Sequence, residues 1–135
     1  MKKILFDTSA IICYTAMEKG YEKAVELFKE VESGYALGFI SAVSLTEVIN
    51  KLGKENEARA LEMTSFIEEK IRIIPSDKET CINAGLIKIR HRELSLSTAD
   101  SIIIATAIGL GADVVAGTDS EWEKVPEIKF THLRK

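Results

Sequence analysis

Short apolar runs alternate along this sequence with longer segments of helical periodicity, and this alternation limits the folds that the chain can adopt. Each run has about four to six residues, the ordinary length of a strand. Strands that are each followed by a helix form a parallel sheet covered on both faces. The sequence therefore predicts an α/β fold with a parallel central sheet of about five strands and helices on both faces. The predicted strands are Lys3–Phe6, Tyr35–Ile40, Ile71–Ile74, Ala112–Ala116 and Ile128–Thr131.

The segments between these runs carry the apolar spacing of amphipathic helices. We find no internal repeat, low-complexity segment or linker, and 135 residues is the size of one ordinary domain. We therefore expect residues 1–135 to form a single domain. The predicted helices are Thr8–Met17, Tyr21–Val31, Ser44–Leu52, Asn56–Lys70, Ser76 or Asp77 to about Arg92, and Ser97 to about Gly109.

The composition is typical of a soluble globular protein, with 46% hydrophobic and 29% charged residues. No apolar run reaches the roughly 18 residues of a membrane span, and Ile4–Phe6 is too short for the core of a signal peptide. Cys13 and Cys81 lie far apart and form no CxxC motif. These features predict a cytoplasmic, reduced protein with no membrane association. The net charge of −3 argues against a generic nucleic-acid binder.

Four acidic residues stand where a parallel sheet places its ligand site. Asp7 directly follows the first strand, Glu47 comes shortly after the second, Asp100 heads the apolar helix, and Asp119 follows the fourth strand. Ligands of open α/β sheets bind beyond the carboxyl ends of the strands. All four acids are predicted at that edge or at adjoining helix starts.

A purely structural explanation exists for each acid. Ser44-x-x-Glu47 and Ser97-x-x-Asp100 match the capping box, in which an acid reaches back to the N-cap residue. Asp7 and Asp119 have the properties of N-caps or of Asx-turn residues. For any one acid alone we favour this structural explanation.

The four acids taken together favour a metal site. Carboxylates crowded at the edge of a core repel one another and lose hydration unless a cation joins them. A cluster of oxygen ligands suits Mg²⁺ or Mn²⁺. A zinc site is not expected, because His91 and His132 fall at a helix end and in the tail.

The segments around these acids resemble, in order and spacing, the successive motifs of the PIN-domain nucleases. The resemblance extends from Asp7 to Trp122, and the length resembles the stand-alone toxin ribonucleases of the VapC type. Two departures, the position of Thr118 and a Trp at 122 where Phe is more usual, do not touch an acid. The matching segments are Asp7–Ile12, Ser44–Val48, Leu96–Ala107 and Val115–Trp122.

The resemblance implies a nuclease that uses one or two Mg²⁺ or Mn²⁺ ions to hydrolyse RNA phosphodiester bonds. Asp7, Asp100 and Asp119 are then predicted to hold the metal directly or through water. Glu47, with its longer side chain, is predicted either to hold the metal or to orient the attacking water. Three hydroxyl residues are predicted to support these acids or to contact phosphate, although helix capping explains their hydroxyls equally well. They are Thr8, Ser9 and Thr118.

Partners are predicted from the remaining sequence and from the resemblance. The resemblance implies an RNA substrate, a homodimer and a small antitoxin protein. The apolar helices Tyr21–Val31 and Asn56–Lys70 also suggest a dimer surface that includes Met63 and Phe66. Basic clusters at Lys88–Arg92 and Lys129–Lys135 are candidate contacts for RNA phosphates or an acidic partner, with solvated helix ends as the plainer interpretation of the first.

Three other functions remain open at this point. A phosphorylation-receiver domain would have adjacent acids after an early strand and a Lys-Pro near its end, whereas here Asp7 stands alone and Phe130 follows Lys129. A binding module for RNA or protein that has lost catalysis is disfavoured by the presence of all four acids. An RNA-processing nuclease without a toxin role is equally compatible with the chain.

Overall fold

The computed structural model describes all 135 residues. Its centre is a sheet of five strands in the order β3-β2-β1-β4-β5, and every pair of neighbours is parallel. β1 is therefore the central strand, and its carboxyl end lies between those of β2 and β4. The strands are β1 Lys2–Phe6, β2 Ala36–Ser41, β3 Arg72–Ile74, β4 Val114–Gly117 and β5 Phe130–His132.

Six α-helices and one short 3₁₀ helix cover the sheet. No helix combines the length and the apolar character that crossing a bilayer requires. The helices are α1 Thr8–Thr15, α2 Tyr21–Glu32, α3 Ala42–Gly53, α4 Glu57–Lys70, α5 Lys78–Arg90 and α6 Thr98–Leu110, and the 3₁₀ helix is Ser120–Lys124.

Two hydrophobic cores lie on the two faces of the sheet. Along β1, Ile4 and Phe6 belong to the core beneath α1, α2 and α4, whereas Leu5 belongs to the core beneath α5 and α6. This alternation follows from the two-residue period of a strand. Since both faces are buried, the strands read as continuous apolar runs in the sequence. The predicted α/β fold, with its parallel five-stranded sheet covered on both faces, is confirmed.

Several predicted element ends are wrong. The third helix does not begin at Ser44, because β2 ends at Ser41, whose side chain accepts the N–H of Val43 and caps α3. The first helix stops at Thr15, before Met17 adopts a positive φ of 52°. The segment between β4 and β5, where no helix is predicted, contains the 3₁₀ helix Ser120–Lys124.

The predicted dimer surface on α2 and α4 stays a prediction, because Met63 and Phe66 are only partly buried. Met63 is partly buried against the first core, and the Phe66 ring lies 6.2 Å from that of Tyr14. These side chains complete the packing of α4 on its own domain. Exposed apolar side chains are found on α4, at Leu61, and on α5, at Ile82, Leu86 and Ile89.

Candidate active site

Asp7 lies at the carboxyl end of the central strand and is only 7% exposed. It is the N-cap of α1, and its Oδ2 accepts the hydroxyl of Ser9 at 2.6 Å. The Ser9 oxygen in turn accepts the backbone N–H of Thr118 at 3.0 Å. Ser9 therefore joins the acid at the end of β1 to the loop that follows β4.

Gly117 permits this close approach between the two strand ends. A Cβ at this position would lie 3.1 Å from the Ser9 Oγ and 3.2 Å from the Asp7 Cβ. Both distances are shorter than ordinary van der Waals contacts, so a larger residue would require Ser9 and Asp7 to shift by a few tenths of an ångström. A glycine at the end of a strand is a sign of such close packing.

Glu47 reaches the same region from the neighbouring strand. It lies in α3, which starts directly after β2, and its Oε1 accepts the hydroxyl of Thr8 at 2.6 Å. Ser44 does not form a capping box with Glu47, since Ser44 is inside the helix and its buried hydroxyl has no hydrogen-bond partner. The capping explanation for Glu47 is therefore wrong, and the acid is held by α1 instead.

Asp100 and Asp119 both cap helices, as the structural explanation predicted. Asp100 forms a capping box with Ser97: its N–H donates to the Ser97 Oγ at 3.0 Å, and its Oδ2 accepts the Ser97 N–H at 3.0 Å. Asp119 is the N-cap of the 3₁₀ helix, and its Oδ1 accepts the N–H of Glu121 at 3.0 Å. Neither bond engages the second carboxylate oxygen.

All seven predicted site residues line one cleft, with a volume of about 370 Å³. The cleft opens at the carboxyl ends of β1, β2 and β4. The strand order reverses at β1, and open α/β sheets form their ligand clefts at such a point. Four further residues line this acid cleft and were not predicted as site residues. They are Ile12, Glu18, Lys51 and Arg134.

Sequence signals exist for only one of these additional charged residues. Lys51 lies four positions after Glu47, so helical spacing alone puts both on one face of α3. Arg134 was recognised only as part of a basic cluster. Its place in the cleft depends on where the chain runs after β5, which is a tertiary contact with no local pattern.

Burial raises the pKa of Asp7 from its ordinary 3.8 to about 6. Desolvation of the carboxylate is the main cause, and the negative charge of Asp100 adds to it, whereas the hydrogen bonds from Ser9 lower the pKa. The carboxylates of Asp7 and Asp100 therefore repel each other across the cleft. A cation beside Asp7 would offset this repulsion and the cost of desolvation.

The donor chemistry of the cleft fits a hard divalent cation. The four acids supply oxygen ligands only, and the second oxygens of Glu47, Asp100 and Asp119 accept no hydrogen bond from the protein. No group of three acidic, histidine or cysteine side chains is arranged to enclose a metal ion. An open arrangement of this kind suits Mg²⁺, which usually keeps several waters and binds through one or two carboxylates and the phosphates of its substrate.

The two histidines and Trp122 lie outside the cleft. His91 Nε2 is 2.8 Å from Glu127 Oε1, and His132 Nε2 is 3.1 Å from Ser120 Oγ, so neither imidazole joins the acids. Trp122 is 1% exposed and packs against Phe130 with 5.9 Å between ring centroids. This burial leaves no ring face for a nucleotide base.

The sheet order and the carboxylate cleft at its edge define an α/β domain of a known family. The family model of the PIN domain matches residues 4–128. The chain belongs to the PIN domain family. No curated protein sequence matches the chain.

Proteins from several bacteria have solved structures with the same fold. DNA-bound VapBC from Salmonella typhimurium has a TM-score of 0.76 and 20% identity, with 98% of this chain and 99% of that chain covered. VapC20 from Mycobacterium tuberculosis, a sarcin-ricin loop cleaving toxin, has a TM-score of 0.76, 17% identity and coverage of 91% and 95%. VapBC2 from Rickettsia felis, bound to a promoter DNA fragment, has a TM-score of 0.75, 14% identity and coverage of 96% and 98%. At these identities the likeness concerns the fold.

Proposed function

We propose that this protein is a divalent-metal-dependent endoribonuclease. The observation that carries the proposal is the convergence of Asp7, Glu47, Asp100 and Asp119, from four separate segments, on one cleft of a PIN domain. A structural role in capping explains one contact of each of Asp7, Asp100 and Asp119, but it does not explain why they share a cleft with one another and with Glu47.

The acids have two roles in this proposal. Asp7, Asp100 and Asp119 hold one or two Mg²⁺ or Mn²⁺ ions, and Glu47 either contributes a further oxygen or orients the attacking water. A divalent ion, when bound, would neutralise the charge that develops on the phosphate oxygens and would lower the pKa of its bound water. The Thr8 and Ser9 hydroxyls hold Glu47 and Asp7 in orientation through their 2.6 Å hydrogen bonds.

An RNA cleavage assay tests this proposal. Purified protein incubated with a mixed set of RNAs is expected to cut them internally in Mg²⁺ or Mn²⁺, and an excess of EDTA is expected to abolish cutting. Lys54→Gln, on the exposed end of α3 outside the cleft, is a matched surface control that should cut normally. Robust cleavage in EDTA, or none with either metal, would overturn the proposal.

We further propose that the nuclease acts as the toxin of a toxin–antitoxin pair with a small antitoxin protein as partner. Support comes from the similarity of its fold to VapC20, a sarcin-ricin loop cleaving toxin, and to DNA-bound VapBC. Expression in a bacterium should arrest growth, and co-expression of a small adjacent open reading frame should restore it. An active nuclease that never arrests growth would favour the RNA-processing role instead.

The homodimer also stays a proposal. The exposed Ile82, Leu86 and Ile89 on α5 are an apolar surface of the kind that dimers bury. Light scattering on the purified protein is expected to give twice the chain mass of 15.0 kDa. A monomer mass at micromolar concentrations would contradict this.

A further inference from the structure

Lys51 and Arg134 are the only cationic residues that line the acid cleft. Lys51 lies in α3, four residues after Glu47, and is exposed. It forms no ion pair within 4 Å, in contrast to Lys2, Lys70 and Lys135. Its ammonium group is therefore available to an anion that enters the cleft.

The backbone next to Arg134 is fixed at the edge of the cleft. Leu133 is 2% exposed, and its N–H donates to the carbonyl of Gly117, the residue just before Thr118, at 2.9 Å. Gly20 lies against this segment with a φ of 102°, and a Cβ there would come within 3.1 Å of the Leu133 carbonyl oxygen. The chain after β5 is thereby held between β4 and the α1–α2 connection.

The guanidinium of Arg134 is oriented but not fully used. Its Nε donates to the carbonyl of Lys19 at 2.8 Å. Its Nη2 lies 3.8 Å from the Glu18 carboxylate, which is too long for a hydrogen bond. The guanidinium also donates to the Cys13 thiol. Since a guanidinium carries five N–H donors in a planar fork, donors remain to bind a further group. Carboxylate and phosphate are the groups whose geometry this fork matches.

The charge of the cleft explains why such cations would be needed. Five acids line it, namely Asp7, Glu18, Glu47, Asp100 and Asp119, against the two cations. These acids would repel the phosphates of a nucleic-acid strand wherever a bound metal does not neutralise their charge. Contacts to backbone phosphates fix the register of a nucleic acid without reading its sequence.

We propose that Arg134 and Lys51 are substrate-positioning residues that hold RNA backbone phosphates flanking the scissile bond. This inference rests on the proposed nuclease function. It assigns a role to two residues that none of the four acidic motifs contains. The competing explanation is that both cations only offset the repulsion among the acids.

Charge-neutral variants with matched controls separate these explanations. Arg134→Gln and Lys51→Gln are compared with Lys2→Gln, whose ammonium pairs with Glu30 at 2.8 Å at the amino end of β1, and with Lys54→Gln on the end of α3. Binding of a fluorescent single-stranded RNA is followed by anisotropy in EDTA over a range of KCl concentrations. Single-turnover cleavage in Mg²⁺ or Mn²⁺ then gives the maximal rate and the half-saturating protein concentration.

Each cleft variant is expected to bind RNA about three- to tenfold more weakly, as for a partly solvated charged contact. The slope of log K against log salt should fall by about 0.7 for each lost phosphate contact. The half-saturating concentration should rise while the maximal rate stays near that of wild type, and the controls should behave as wild type. Where binding in EDTA is too weak to measure, the half-saturating protein concentration of the cleavage assay is compared between the cleft variants and the controls instead.

The outcomes distinguish this inference from the proposed function. A wild-type protein that cleaves RNA, with cleft variants that match the controls in affinity and salt slope, would overturn the positioning role and leave the nuclease intact. Lower thermal stability of the cleft variants with unchanged affinity would support charge compensation and equally overturn it. Weaker RNA binding by the cleft variants of a wild type that does not cleave would uphold the contact but overturn the nuclease. A wild type that neither binds nor cleaves RNA would overturn both.

Discussion

Helices α3 and α6 each bring an acid to the cleft, but they hold it in different ways. Asp100 sits in the first turn of α6, where it forms a capping box with Ser97. Glu47 lies a turn deeper in α3 and is held by the hydroxyl of Thr8 across the cleft. The capping of α3 is left to Ser41. Asp100 therefore stabilises its helix and lines the cleft, whereas Glu47 does only the second.

This difference shows that an acid three residues after a serine has no fixed structural role. In α3 the start of the helix is set by the end of β2, three residues before Ser44. The serine of the Ser-x-x-Glu pattern is consequently buried inside the helix without a hydrogen-bond partner. Substitution of Glu47 should test the cleft alone, and substitution of Asp100 should test cleft and cap together.

The largest effect is expected from Glu47→Gln on catalysis. The amide keeps an oxygen to accept the Thr8 hydroxyl but loses the charge, so cleavage should fall by about 100-fold or more, the usual scale for loss of a transition-state contact. Unfolding free energy without metal should stay within about 0.5 kcal/mol of wild type, because no cap is lost. Single-turnover cleavage and urea unfolding measure the two. A large loss of stability with normal cleavage would make Glu47 a structural residue.

A smaller effect is expected from the titration of Asp7. Its pKa is about 6 in the folded protein and 3.8 ordinarily, so the folded state holds this proton more tightly than the unfolded chain does. Metal-free stability should therefore decline as pH rises from about 4 to about 6, by at most roughly 3 kcal/mol from this group. Stabilisation by Mg²⁺ should appear over the same range, since protons then cease to compete for the carboxylate.

Asp7→Asn provides the control for this pH dependence. The variant should lack this part of the decline and should gain little stability from Mg²⁺ at any pH. Thermal unfolding at a series of pH values, with and without the metal, measures the difference. An identical pH profile in wild type and variant would show that the burial of Asp7 does not govern the stability of the metal-free cleft.

The smallest effects are expected from the two serines of α3. Ser41→Ala removes the cap and should cost about 1 kcal/mol in urea unfolding. Ser44→Ala removes a buried hydroxyl that has no partner, so stability should be unchanged or slightly higher. The reverse order would mean that α3 begins at Ser44.

The fold and the shared position of the seven candidate residues in one cleft could be predicted because their signals are local. Apolar runs report strands buried on both faces, and each acid follows such a run or a helix-start serine within a few residues. The start of α3 could not be predicted, since two serines, Ser41 and Ser44, compete to cap it and the pairing of β2 decides between them. The places of Arg134 and Trp122 depend on the path of the chain after β4, which leaves no periodic signal.

One pair of variants at the head of α6 separates the cap from the cleft. Ser97→Ala weakens the capping box and leaves the Asp100 carboxylate, whereas Asp100→Asn keeps an oxygen for the Ser97 N–H and removes the charge. Both should lose no more than about 1 kcal/mol of metal-free stability. In an RNA cleavage assay with Mg²⁺ or Mn²⁺, Ser97→Ala should cut near the wild-type rate and Asp100→Asn should cut at background. If Asp100→Asn cuts as well as Ser97→Ala does, Asp100 is only a helix cap and the four-acid metal site is wrong.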